Sequence, residues 1–307
     1  MRALVVTNMY PSPRHPALGS FVADQVAALR RAGEAEIELA AFAPGGYRSY
    51  TRAARTLRER HRHDRFDVVH AHFGLTAGPA RVVPATAHAV TLHGTDLAHP
   101  RSRRLTLAGL AVTDLIGVVS EPLAELLPRW ARSRVEILPC GVDLHRFGRR
   151  DRRVARRELG LPEDEPCLLF PADPARAEKR HDRARAAAGE TRLLTLSDVE
   201  PARVPLFLNA ANAVLVPSER EGFGLAVLEA LACDVPVLAT PVGIAPAALA
   251  GLPGTLCAPF ESERWAAALA PHLHAADPRI DGRTRAEPYS SDRMARRLLD
   301  AWRRLVV

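Results

Sequence analysis

Short apolar runs recur along this chain, and most are followed by a turn and then by a helical pattern. Residues 3–7, Ala-Leu-Val-Val-Thr, come first. The turn over 8–19 holds three prolines. After it Ser20 is a fair cap for a helix whose apolar positions Phe21, Val22, Val26, Ala27 and Leu29 share one face until Gly33 stops it. Residues 36–42 read as a second strand, 47–63 as a basic helix and 66–72 as a third strand. Strands over 88–92, 114–119 and 135–138 follow, with a helix from Ser120 between the last two. A basic helix around 151–160 precedes a new sheet, with strands at 167–170, 193–196, 213–216 and 235–238 and a helix over 204–211. Helices over 263–273 and 292–306 complete the chain, the last amphipathic through Met294, Leu298, Leu299, Trp302 and Leu305.

Near-continuous apolar strands alternating with helices predict parallel sheets covered on both faces. The alternation runs twice, with a break near 140–165, so the fold class is α/β with two Rossmann-like doubly wound domains facing an interdomain cleft. The expected divisions are a first domain over 1–150, a second over 151–290 and a C-terminal helix over 291–307.

One stretch concentrates the candidate chemistry: Pro217-Ser-Glu-Arg-Glu-Gly-Phe-Gly-Leu-Ala-Val-Leu-Glu229. A buried strand precedes it, and Leu225, Leu228, Leu231 and Ala232 follow at helical spacing, so 218–224 is a turn at the carboxyl end of a strand. Ligands bind there in doubly wound sheets. Gly222 and Gly224 allow close backbone approach, and the new helix offers free N–H groups to anions. Glu221 precedes the helix, and Glu229 is expected about two turns into it. At about 1.5 Å per residue they are roughly 12 Å apart, too far to share a proton or a metal. They suit two ends of one extended ligand; the alternative is a loop acid and a surface acid.

The Glu221…Glu229 spacing with Gly-Phe-Gly after the first glutamate resembles the signature of the retaining glycosyltransferases of family 4, which have the GT-B fold. Other stretches extend the resemblance over nearly the whole chain. They are Gly19, the Asp-Val-Val-His-Ala-His72 strand, His93 just past a strand end, Gly141-Val-Asp-Leu-His-Arg-Phe147, Lys179 and Thr240-Pro-Val-Gly243. The resemblance implies that Glu221 contacts the donor sugar, that Glu229 holds the ribose and that His93 hydrogen-bonds the sugar. It implies that Gly19 lets the first helix approach the diphosphate and that Lys179 grips it. The family pairs that lysine with an arginine in Gly-Arg-x-x-x-x-Lys. Pro174 or Asp173 stands in its place here, so Arg176 or Arg180 is the candidate replacement. Ser218, Gly222, Phe223, Gly224 and Leu225 complete the donor site. Val199, in the loop 197–200 at a strand end, is the candidate for the base. The same resemblance implies that the domain over 1–150 binds the acceptor, that the domain over 151–290 binds the nucleotide sugar, and that the last helix crosses back to the first domain.

Charge sharpens one of these assignments. Of 42 basic residues, 41 are arginine, and Lys179 is the only lysine. Where a chain uses arginine everywhere else, one lysine marks a site suited to a compact ammonium. Net charge is +7, and the excess lies in residues 1–150, with 21 arginines against 13 acids. A basic half suits an anionic substrate or peripheral contact with an anionic membrane. Only 5% of residues are aromatic, so stacking platforms for bases are scarce and no nucleic-acid partner is expected. His70 and His72 share one face of a strand, but no third ligand is evident nearby and no Asp-x-Asp pair occupies a suitable loop, so no metal is expected. The four scattered cysteines, the short apolar start and the lack of a membrane-length run suggest a reducing cytoplasm.

The activity expected is transfer of a sugar from a nucleoside-diphosphate sugar to a sugar, lipid-linked or small-molecule acceptor, with no cofactor beyond that co-substrate. A non-hydrolysing nucleotide-sugar epimerase of the same fold is the alternative enzyme. A non-catalytic protein binding anionic membrane or nucleic acid is the alternative from another class; the basic first half is its support.

Overall fold

The apolar runs of the first half form one parallel sheet and those of the second half another. The structure, a computed structural model, describes residues 1–98, 100–197 and 199–306. It divides into two units: unit 1 comprises Met1–Gly141 with the C-terminal helix, and unit 2 comprises Val142–Ser290.

Unit 1 contains strands β1 (Arg2–Thr7), β2 (Glu36–Ala41), β3 (Phe66–His72), β4 (Ala85–Leu92), β5 (Leu115–Val118) and β6 (Val135–Ile137), in the order β2-β1-β3-β4-β5-β6. Thr7 pairs with His72 and His72 with Thr91, so β1, β3 and β4 end level. β3 and β5 are buried almost throughout, as strands covered on both faces must be. The helices Ser20–Ala32 and Ser291–Val306 share one core on this sheet, where Val22, Val26 and Leu29 pack with Leu298, Leu299 and Trp302.

Unit 2 contains β7 (Cys167–Phe170), β8 (Arg192–Thr195), β9 (Ala213–Val216), β10 (Val237–Ala239) and β11 (Leu256–Cys257), in the order β11-β10-β9-β7-β8. Leu168, Phe170, Leu215 and Leu238 build its core with Trp265 and Leu269 of the helix Ser262–His274. β10 starts two residues later than the apolar run suggests. Pro236 has no N–H for the ladder; its carbonyl instead accepts from Val214 N at 2.8 Å.

The division falls at 141/142 rather than at 150/151. Segment 142–150 is bonded into unit 2: Val142 N donates to Tyr289 O at 2.8 Å and Arg150 N to Asn209 Oδ1 at 2.8 Å. Asn209 Nδ2 donates to Gly148 O at 3.0 Å, and Arg283 Nη1 to Phe147 O at 3.0 Å. None of these partners is near in sequence. Among the described residues no helix is long and apolar enough to cross a membrane.

Candidate functional site

In unit 2 the chain leaves β7 toward β8 on one side and continues from β9 through β10 to β11 on the other. Neighbouring strands whose connections diverge leave a crevice at their carboxyl ends. Both candidate segments lie there, the Lys179 segment after β7 and the Ser218–Gly224 turn after β9. The backbone joins them, as Glu219 N donates to Glu178 O at 2.9 Å.

Lys179 and Glu221, 42 residues apart, meet at this edge. Lys179 Nζ lies 2.7 Å from both Glu221 oxygens, and Ser218 Oγ donates to Glu221 Oε1 at 2.7 Å. The Lys179 and Glu221 side chains keep only 16% and 9% of their exposure. Each charge thus has a hydrogen-bonded partner while still touching solvent, which makes such a partly buried pair tolerable. The Ser218 carbonyl accepts from Thr240 Oγ1 at 2.5 Å, which ties the turn to the end of β10.

Gly224 takes φ 95° and caps the helix Leu225–Ala232, a conformation that strongly favours glycine. That helix starts directly after the turn with no side-chain cap, and free amides at a helix start favour negative charge. Glu229 is therefore its fifth residue, just over one turn in rather than two, because residues 221–224 are not helical. Phe223 is buried, its ring against Tyr289, and its carbonyl accepts from Ile244 N at 2.7 Å. Gly243 was not among the predicted site residues, yet it fixes this turn. With φ +60°, a Cβ there would lie 2.4 Å from Phe223 O and 2.8 Å from Glu221 Cβ. The Thr240-Pro-Val-Gly243 turn was the sequence signal for it.

The two candidate arginines are committed locally. Arg176 Nη2 donates to Glu178 Oε1 at 2.7 Å. Arg180 bonds Asp182 at 2.6 Å and Glu219 at 2.5 Å, and these bonds raise its pKa further and hold the Asp182 carboxyl down at about 2. Arg180 also takes φ 57°, a left-handed conformation uncommon for a non-glycine residue. Val199 is half-buried, beside Asp198, which lies outside the described residues.

In unit 1 the divergence falls between β1 and β3, and the edge there is lined with histidines. Trp302 Nε1–H donates to His70 Nδ1 at 2.9 Å, so His70 carries its proton on Nε2 and donates it to Thr91 Oγ1 at 2.8 Å. His72 Nδ1 lies 3.1 Å from His93 Nε2 with the rings stacked, and Phe21 leans on His93 with centroids 4.8 Å apart. The buried Asp96 carboxylate holds the His93 loop, accepting from His93 N at 2.6 Å, Gly94 N at 3.1 Å and Gly74 N at 2.5 Å. Burial raises the Asp96 pKa. Gly19 takes φ 65°, and a Cβ there would lie 2.1 Å from Met9 O, so its own loop already demands glycine. Among the described residues no three groups form a metal-binding cluster.

Burial pushes all three histidine pKa values down, that of His72 to about 4. A histidine whose folded pKa is depressed holds fewer protons folded than unfolded between the two values. Its contribution to stability is complete above about 6.5 and is lost as pH falls toward the folded value. Lowering the pH from 7 to 5 is expected to remove about 2 kcal/mol through His72 alone. Asp96, shifted upward, works in the opposite direction. Urea unfolding of unit 1 followed at pH 7, 6 and 5 reads the slope; a flat profile over that window would contradict a neutral, buried His72.

Two family patterns divide the chain between them: Glycosyltransferase Family 4 matches residues 5–146 and Glycosyl transferases group 1 matches residues 152–287. The D-inositol 3-phosphate glycosyltransferase of Actinosynnema mirum is 32% identical over 285 residues, covering 74% of this chain and 68% of that protein. The protein of the same name from Mycobacterium avium is 34% identical over 213 residues, covering 57% of this chain and 50% of its own length. The chain thus spans only about half the length of that curated relative. Among solved structures, sucrose-phosphate synthase from Thermosynechococcus elongatus has a TM-score of 0.76 at 18% identity, with 99% of both chains covered. The Anabaena protein HepE, in complex with UDP and glucose, has a TM-score of 0.74 at 13% identity, with 98% of this chain and 99% of that one covered. At those identities the likeness is one of fold: two Rossmann-like units.

Proposed function

This chain belongs to the family 4 (group 1) glycosyltransferases, and we propose that it moves a sugar from a nucleoside-diphosphate sugar to an acceptor with retention of anomeric configuration and without a metal. The observation that carries this reading is the Lys179–Glu221 pair beside a glycine-capped helix start, at the diverging strands of unit 2. A diphosphate arriving there meets an ammonium and a helix N-terminus, the kind of preorganised positive field that stabilises a departing phosphate. Arg176 or Arg180 supplies a second contact by exchanging its present carboxylate partner. Glu229 holds the ribose, and Val199 lies against the base. Glu221 faces the sugar, and the family resemblance assigns His93 a hydrogen bond to the donor sugar. The bond from the anomeric carbon to the diphosphate oxygen breaks, and the acceptor oxygen bonds the same face. The acceptor proton passes to the departing phosphate.

The relatives named for D-inositol 3-phosphate make an inositol phosphate the first acceptor to try, and HepE, solved with UDP and also with UDP-glucose, makes these the first nucleotides. A thermal-shift screen of nucleoside diphosphates and their sugars is the direct test. At a hundred times its dissociation constant a ligand adds about 2.7 kcal/mol to stability. No shift with any member of the panel, in a folded protein, would defeat the reading. The anomeric configuration of the product, read by NMR, tests retention.

Two further outcomes follow. Lys179→Ala should lower turnover at least tens-fold, since losing a hydrogen bond to a charged group is worth about 1.5–3 kcal/mol. Unchanged turnover in the folded variant refutes the role. Excess chelator should leave activity intact; loss restored by Mg²⁺ or Mn²⁺ would show that a metal takes part.

A further inference from the structure

His72 is fully buried at the end of β3 and has two ring nitrogens to account for. Nδ1 faces His93 Nε2 at 3.1 Å, while Nε2 is buried with no hydrogen-bond partner. Two arrangements satisfy the short contact. In one, His93 Nε2–H donates to His72 Nδ1, which forces the His72 proton onto the unpartnered Nε2. In the other, His72 Nδ1–H donates to His93 Nε2, and the unpartnered His72 Nε2 is only a lone pair. A buried N–H with no acceptor is the rarer and costlier defect. We propose that His72 is a positioning residue: its Nδ1–H donates to His93 Nε2 and fixes His93 as the Nδ1–H tautomer.

The surrounding contacts support one fixed arrangement. His70 cannot serve His72, because its two nitrogens are taken by Trp302 and Thr91. Burial keeps His72 neutral at pH 7, so its ring carries a single proton. The three N–H groups on the Asp96 carboxylate and the Phe21 ring hold the His93 backbone and imidazole in place. His93 itself keeps partial exposure. With Nε2 occupied, the group it can offer outward is the Nδ1–H, a donor that suits a sugar hydroxyl or ring oxygen. The consequence for catalysis rests on the proposed role of His93; the tautomer itself does not.

Long-range ¹H–¹⁵N correlation on ¹⁵N-histidine-labelled full-length protein at pH 7.5 tests this, with the His93 signals assigned by their loss in His93→Gln. The expected result in the wild type is a protonated Nδ1 and an unprotonated Nε2 on His93. A protonated His93 Nε2 overturns the proposal, and because no variant at 72 is needed, that measurement stands even if such variants fail to fold. His72→Phe should release His93 into mixed tautomers, and His72→Asn, whose amide nitrogen can occupy the Nδ1 position, should restore the wild-type pattern. A His93 tautomer unchanged in a folded His72→Phe also overturns it. In the same variant, turnover should fall about tenfold, the scale of one hydrogen bond, while binding of plain UDP stays as in the wild type. A shifted tautomer with wild-type turnover would defeat the role of His93 in transfer and leave the His72 bond standing.

Discussion

Trp302→Ala is expected to lower the stability of unit 1 by about 3–5 kcal/mol, the range for truncating a buried aromatic side chain to alanine. Trp302 is fully buried in the core shared by the first and last helices. Its Nε1–H is also the partner of His70 Nδ1 at 2.9 Å, across 232 residues of sequence. The variant therefore opens a cavity and leaves a buried acceptor unpaired. Trp302→Phe weights the two effects differently: it keeps much of the packing and leaves a smaller cavity but loses the donor entirely, so a smaller loss of about 1–3 kcal/mol is expected. A chain of two units need not unfold in one step, so hydrogen exchange read segment by segment is the proper measurement. Protection should fall in residues 20–32 and 66–72 and hold in residues 262–274. Uniform loss across both units, or none, would contradict a role confined to the unit 1 core.

What the sequence made legible was local. The strand–turn–helix at 213–232 is written in consecutive residues: an apolar run, two glycines and then helical spacing. Lys179 stood out because the chain otherwise uses arginine. Long-range pairing was not legible. Nothing near Lys179 shows that its ammonium meets Glu221, because β8 and the helix Val204–Ala210 intervene. The helices Pro100–Leu110 and His181–Ala188 also escaped the pattern. The first buries little besides Thr106 and Leu110, and the second buries only alanines, so neither shows a clear apolar stripe. His72 and His70 share a strand face in the sequence, a pair set aside as metal ligands for want of a third; the link of His72 to His93 depends on the register of β3 with β4, which the sequence does not state.

The two glutamates of the central motif should fail in different ways when replaced. Glu221 precedes the helix, and its carboxylate is held by Lys179 and Ser218. Removing it takes away the group proposed to face the sugar and also releases the lysine proposed to take the diphosphate. Glu221→Ala should therefore keep binding of plain nucleoside diphosphate, or tighten it, while turnover falls about ten- to hundredfold, the scale of a lost hydrogen bond to a charged group. Glu229, the fifth residue of the helix, is proposed to accept hydrogen bonds from two ribose hydroxyls. The ribose is present in both the diphosphate and its sugar, so Glu229→Ala should weaken binding of both by a similar factor. Calorimetric titration of each variant with nucleoside diphosphate, beside turnover with the full donor, distinguishes them. If Glu221→Ala loses the diphosphate while Glu229→Ala keeps it, the donor lies in the opposite direction along the motif. If both variants bind and turn over as the wild type does, the Lys179–Glu221 pair only anchors the turn and the donor site lies elsewhere.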